Sequence, residues 1–181
     1  DRIAHHFTTS MSTLEVVAKN SDRVMKEYKK FFDDTKTNGV GEYKSFVVTD
    51  VNTNRIDGLK NLLDKNGIQY TFNSGAALKG FNYFTQKEES FTTSNSLVVS
   101  TYQPKGVLAK VLFEPKSKLS DSATYDITAW ALPYVYNLQA YAVKEKIATG
   151  SAPVTGRQPA VIPANAYGYA IRYSSFEDAK L

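Results

Sequence analysis

The chain has 181 residues, of which 42% are apolar, 13% aromatic and 22% charged. These proportions are those of a globular chain of one domain, or one domain with an appended helix, and exclude disorder, collagen-like repeats and coiled coil as its class. The absence of cysteine removes disulfides, thiolate metal sites and cysteine nucleophiles, and a net charge of +4 carried by scattered, paired lysines argues against nucleic acid as a partner. No apolar run reaches the ~20 residues of a membrane span, and no basic-then-apolar start resembles a signal peptide.

In chain order, Ser12-Thr13-Leu14-Glu15 fits a capping box that opens one long helix. Leu14, Val17, Val24, Met25, Tyr28 and Phe31 recur at helical spacing, and Thr37-Asn38-Gly39 closes it. The apolar face reads as core or interface. Residues 43–50 form a short apolar strand, Asn52-Thr53-Asn54 caps a helix bearing Ile56, Leu59, Leu62 and Leu63, and Asn66-Gly67 stops it. Residues 68–72 form a second strand, and this β-α-β spacing with short connections predicts parallel strands. Residues 73–95 break the rhythm with an excursion containing a short hairpin. A third core strand follows over 96–101, then a helix starting at Gln103-Pro104 and stopped by Pro115.

Residues 116–150 hold the single tryptophan, Trp130, among Tyr125, Asp126, Tyr134 and Tyr136. This cluster is either a carbohydrate platform or core, and the large area that Trp and Tyr bury favours core. Residues 150–163 read as a loop, 167–173 as a last strand, and 174–181 as the capped start of a helix. A helix cut at its beginning leads to the expectation of a longer polypeptide, with 1–40 a helical joint to an upstream domain and 41–181 an α/β domain truncated at its C-terminal end.

Catalytic constellations fail on their residue types. His5 and His6 are the only histidines and are adjacent, so their side chains diverge, and no ligand carboxylate lies three residues on. A Ser-His-Asp triad would need one of them, and no Gly-x-Ser-x-Gly elbow presents a serine. Neither Gly-x-x-x-x-Gly-Lys nor Gly-x-Gly-x-x-Gly occurs. Glu88-Glu89 could be paired acid/base carboxylates, yet neighbours on a strand point to opposite faces, and a solvated turn is the simpler account.

The run from Leu119 through Val143, with Ser120-Asp121-Ser122-Ala123-Thr124-Tyr125-Asp126-Ile127-Thr128-Ala129-Trp130-Ala131-Leu132-Pro133-Tyr134 as its most specific part, resembles a segment of secreted bacterial zinc carboxypeptidase-like proteins of the carboxypeptidase A superfamily. His5-His6-Phe7-Thr8, Phe46-Val47-Val48 and Ser100-Thr101-Tyr102-Gln103-Pro104 agree with it in order. The resemblance implies a class I glutamine amidotransferase-like or flavodoxin-like parallel sheet with helices on both faces, preceded by a long N-terminal helix. It implies a non-catalytic accessory domain, secreted or periplasmic, whose partner is an upstream peptidase domain of the same polypeptide. That upstream domain would hold the zinc; no cofactor and no catalytic residue is assigned to this chain, which lacks His-x-x-Glu. Tyr125, Asp126, Trp130 and Tyr134 are the candidate contacts to a peptide or cell-wall ligand or to that domain. The other expectation is a glycan- or cell-wall-binding module using exposed aromatics.

Overall fold

The computed structural model describes residues 1–116 and 130–147. The expected strand over 167–173, the loop over 150–163 and the helix start at 174–181 lie outside the described residues, as do Tyr125 and Asp126.

The N-terminal segment is two helices, not one beginning at Ser12. α1 spans Arg2–Lys19 and α2 spans Ser21–Asn38. Ser12 and Glu15 lie inside α1, where Glu15 pairs with Lys19 one turn on instead of reaching back to a cap. The break is at Asn20, with φ −118° and ψ 25°. Its backbone N–H still donates to Val16 and Val17, and its amide side chain donates to the Val16 carbonyl at 2.8 Å. The two helices therefore form one bent arm, on the order of 55 Å long at ~1.5 Å per residue. Every residue from Asp1 to Phe31 is exposed. The apolar stripe of Ile3, Phe7, Leu14, Val17, Val24, Tyr28 and Phe31 is thus not buried against the rest of the described residues.

The arm is rooted at its C-terminal end. Thr35 is buried, and α2 stops at Gly39, whose φ of 61° suits glycine. The first turn of α4, Gly106–Phe113, comes close enough that a Cβ on Gly106 would sit 2.6 Å from the Thr35 methyl and 2.0 Å from the Thr101 carbonyl oxygen. Only glycine fits there.

The rest is a six-stranded sheet. Its strands are β1 (Ser45–Val48), β2 (Tyr70–Asn73), β3 (Ala77–Asn82), β4 (Glu88–Thr92), β5 (Ser96–Ser100) and β6 (Ala140–Val143). The order is β2-β5-β1-β6-β3-β4, and every neighbouring pair is antiparallel. The flavodoxin-like parallel sheet is therefore wrong. β1 and β2 do run in the same direction, joined by α3 (Thr53–Lys65), but β5 lies between them, antiparallel to both. Likewise β5 and β6 run in one direction with β1 between them. Leaving the hairpin aside, these are two interleaved split β-α-β units, the order of the ferredoxin-like motif. The hairpin β3–β4 is inserted between the units and joins the sheet beside β6, through Phe81 opposite Ala142 and Asn82 opposite Tyr141.

Two cores explain why the strands read as parallel. On one face Phe46, Val48, Leu97, Val99 and Ala142 meet Leu59 and Leu63 of α3, Phe113 of α4 and Leu132 of the short helix α5, Leu132–Val135. On the other, Val47, Val98 and Val143 are buried under Ile147, with Leu78 and Phe91 of the hairpin packed against them. β1 and β5 are covered on both faces, so they carry continuous apolar runs like those of a parallel sheet. The second cover is a curled hairpin where the parallel fold would have helices. The curl has a visible hinge: Gly75 N–H donates to the Thr93 carbonyl at 2.8 Å, and Asn95 N–H to the Ser74 hydroxyl at 2.7 Å. These bonds join β2–β3 and β4–β5 into one ribbon.

Candidate functional site

The aromatic cluster is split by the structure. Trp130 stands before α5 with 73% of its surface exposed. Pro133 occupies the first turn of α5, where its missing N–H costs nothing, and that turn aims Tyr134 inward. The Tyr134 ring lies 5.2 Å from that of Tyr83, edge to face. Burial raises the Tyr134 phenol above the usual tyrosine range, while a hydrogen bond with Gln86 acts the other way. Tyr83 is buried beneath it and donates its hydroxyl to the Phe113 carbonyl. Tyr134 is thus a partly buried core residue, and with Trp130 it forms no shared platform.

His5 and His6 lie on the exposed face of α1. No group of three or more His, Asp or Glu converges among the described residues. Glu88 and Glu89 belong to a strand, not a turn, and do point apart. Glu89 accepts from the Thr85 hydroxyl and, at 2.7 Å, from the Asn82 amide. These two hydrogen bonds hold its carboxyl below the usual range. The Asn82 side-chain oxygen Oδ1 accepts in turn from Phe84 N–H at 2.9 Å, so the group clasps the hairpin turn. Tyr141 stacks on Phe91 beside it, ring centroids 3.9 Å apart. Each polar atom in this clasp has a partner, which is the mark of structure rather than of a waiting ligand site.

The surface that remains unsatisfied is the arm. Its apolar side chains stay largely exposed, Tyr28 and Phe31 touching only the neighbouring Phe32 ring among the aromatic contacts of the described residues, and a hollow of about 550 Å³ lies at the bend between Val16, Val17, Val24 and Tyr28. Sequence reasoning found the stripe only from Leu14 on and left it as core or interface; the structure exposes it and extends it back to Ile3. The signal was its length: a stripe running from Leu14 to Phe31 is already longer than the 4- to 6-residue strands of one small sheet can cover.

The root of the arm also carries cationic and aromatic side chains. Lys146 sits over the Tyr102 ring at 4.6 Å, and Lys144 pairs with Glu42 at 2.9 Å. Lys144 braces the loop between α2 and β1, and Lys146 the segment after β5, against the chain that follows β6. No helix among the described residues is long and apolar enough to cross a membrane.

Compared with known proteins, the chain matches no family model, no curated protein and no solved structure.

Proposed function

We propose that this chain is a non-catalytic accessory domain of a secreted zinc metallocarboxypeptidase-like protein, supporting its peptidase domain or binding its substrate. The observation that carries an accessory role is the arm, on which every residue from Asp1 to Phe31 is exposed while the central strands β1 and β5 behind it are covered on both faces. A domain that buries its own core and still presents a long apolar helix face is built to attach. The run around Trp130 supports the choice of a carboxypeptidase-like parent. Zinc and peptidase chemistry belong to the upstream domain on this reading. Reading the coding region upstream of Asp1 tests it: a signal peptide, a His-x-x-Glu and a later His are expected. A reading frame without them, or release of C-terminal residues from peptides by this chain alone with zinc, refutes it.

The exposure of Trp130 favours a second reading, a glycan- or cell-wall-binding module. Titration with peptidoglycan fragments, followed by the fluorescence of this single tryptophan, tests it. An unchanged spectrum at millimolar fragment sinks it.

A further inference from the structure

We propose that the arm is a self-association surface: α1 and α2 of one copy pair antiparallel with α2 and α1 of a second copy. The proposal rests on the arm being an attachment surface and names what it attaches to.

The period of the stripe points to a helix as the occupant. From Ile3 to Phe31 the seam positions alternate four and three residues apart, a mean of ~3.5. On a straight helix such a stripe drifts by ~20° per heptad, or roughly 40° over the two heptads from Ile3 to Val17 in α1. It stays in line only when two helices wind about each other.

Size complementarity points to a like helix, reversed. With a two-fold axis near Lys19, Phe7 meets Phe31 of the second copy and Leu14 meets its Val24. Small residues in the seam then meet large ones: Ser10 faces Tyr28, Ser21 faces Val17, and Ala4 faces Phe32 at the flank. A parallel pair would stack serine on serine and tyrosine on tyrosine. At the other flank Thr13 meets Glu27 and His6 meets Asp34, so no like charges oppose. The axis passes through the bend, where the hollow beside Val17 and Val24 takes up side chains of the second copy.

The area suffices. Nine large apolar side chains on the arm's stripe and its edge are 42–86% exposed. At roughly 90 Å² each they present on the order of 800 Å², the share of one partner in a standard interface.

Sedimentation velocity on the whole chain over a wide concentration range tests this. A dimer of twice 20.1 kDa is expected. Leu14→Asp with Val24→Asp should weaken it by at least roughly 100-fold and lower helicity in far-UV circular dichroism, because an unpartnered arm frays. The sheet makes no contact with either residue, so its near-UV spectrum should persist. The chain has no cysteine, so Ser10→Cys and Tyr28→Cys report orientation directly. Mixed and oxidised, the two variants should cross-link to each other, while Ser10→Cys alone should not, its two copies lying ~27 Å apart along the pair. Cross-linking of Ser10→Cys to itself overturns the antiparallel arrangement. A monomer at all concentrations overturns the proposal and leaves the accessory role standing, whereas peptidase turnover by a dimer does the reverse.

Discussion

Gln103 is a buried polar side chain with a single job, and removing it has a calculable cost. Its amide lies parallel to the backbone of Gln69: the side-chain oxygen accepts from Gln69 N–H at 2.7 Å, and Nε2 donates to the Gln69 carbonyl at 2.8 Å. Nε2 also donates to the Ser100 carbonyl at 2.7 Å. The side chain thus extends the β2–β5 pairing past its last residues. Gln103→Ala deletes three hydrogen bonds worth about 0.5–1.5 kcal/mol each, the low end applying to exposed Gln69. With the lost packing of a 3%-exposed side chain, the expected cost is about 3 kcal/mol. That lowers the melting temperature by roughly 6–12 °C for a chain of this size. Gln103→Glu keeps the shape but turns an oxygen toward two carbonyl oxygens. At neutral pH it should cost more than Gln103→Ala, since the carboxylate is both desolvated and repelled. The same environment raises its folded-state pKa above the ~4.3 of an unfolded glutamate. The folded state then binds the extra proton, so the penalty is complete above the folded pKa and is relieved as pH falls through it, fully below the unfolded value. Urea denaturation of wild type and both variants between pH 4 and 8 measures this. Equal stability of the two variants at pH 7, with no difference in their pH dependence, would refute the pairing role.

The buried Tyr83 phenol is pushed well above its ordinary value, chiefly by burial. An unfolded chain would lose that proton first, so stability should fall as pH rises above ~10, and Tyr83→Phe should flatten the alkaline limb while costing about 1–2 kcal/mol at pH 7. Phenolate absorbance followed alongside unfolding reads both; a wild-type alkaline limb retained in Tyr83→Phe removes this residue as its source. Gly106→Ala should destabilise by about 1–3 kcal/mol, because the Thr101 carbonyl oxygen at 2.0 Å is backbone and must shift; a neutral result in urea would mean that α4 sits further from the root of the arm. Trp130 should be quenched freely by iodide, and Trp130→Ala should move stability by less than about 0.5 kcal/mol. A protected tryptophan would place it in a buried contact.

Local signals in the sequence were faithful where the structure is local. Asn52 caps α3 by accepting from Arg55 N–H at 3.1 Å, and Gly67, with φ 63°, ends it as Asn66-Gly67 suggested. The hairpin and β5 fall where the apolar alternation put them. The Ser12–Glu15 pattern misled because the same residues serve equally inside a helix, where Glu15 found Lys19. Partner choice in the sheet was not legible, since nothing in residues 45–73 says that β5 will come between β1 and β2. β6 was missed altogether: Ala140-Tyr141-Ala142-Val143 is four residues long, half of them alanine, and its identity as a strand comes from lying between β1 and β3. For the site, Trp130 and Tyr134 look alike in a list of aromatics. The proline between them sets one outward and one inward, and periodicity does not report that turn.

Because β1 takes both its neighbours from later in the chain, the order of synthesis matters. Thr49, just past β1, bonds Gln139, 90 residues on, and Ser45 bonds Glu145, 100 residues on. At ~5–20 residues per second, β1 leaves the ribosome roughly 5–20 s before the strand that closes its second edge. During that time an apolar strand offers an open row of amides and carbonyls to other chains. A nascent chain stalled between Phe113 and Ala140 would have the sequences of helices α3 and α4 but a split sheet, with the hairpin lacking its seat beside β6. Such stalled chains should be recruited by chaperones that bind extended apolar segments, and the slowest step of refolding should be the insertion of residues 140–143.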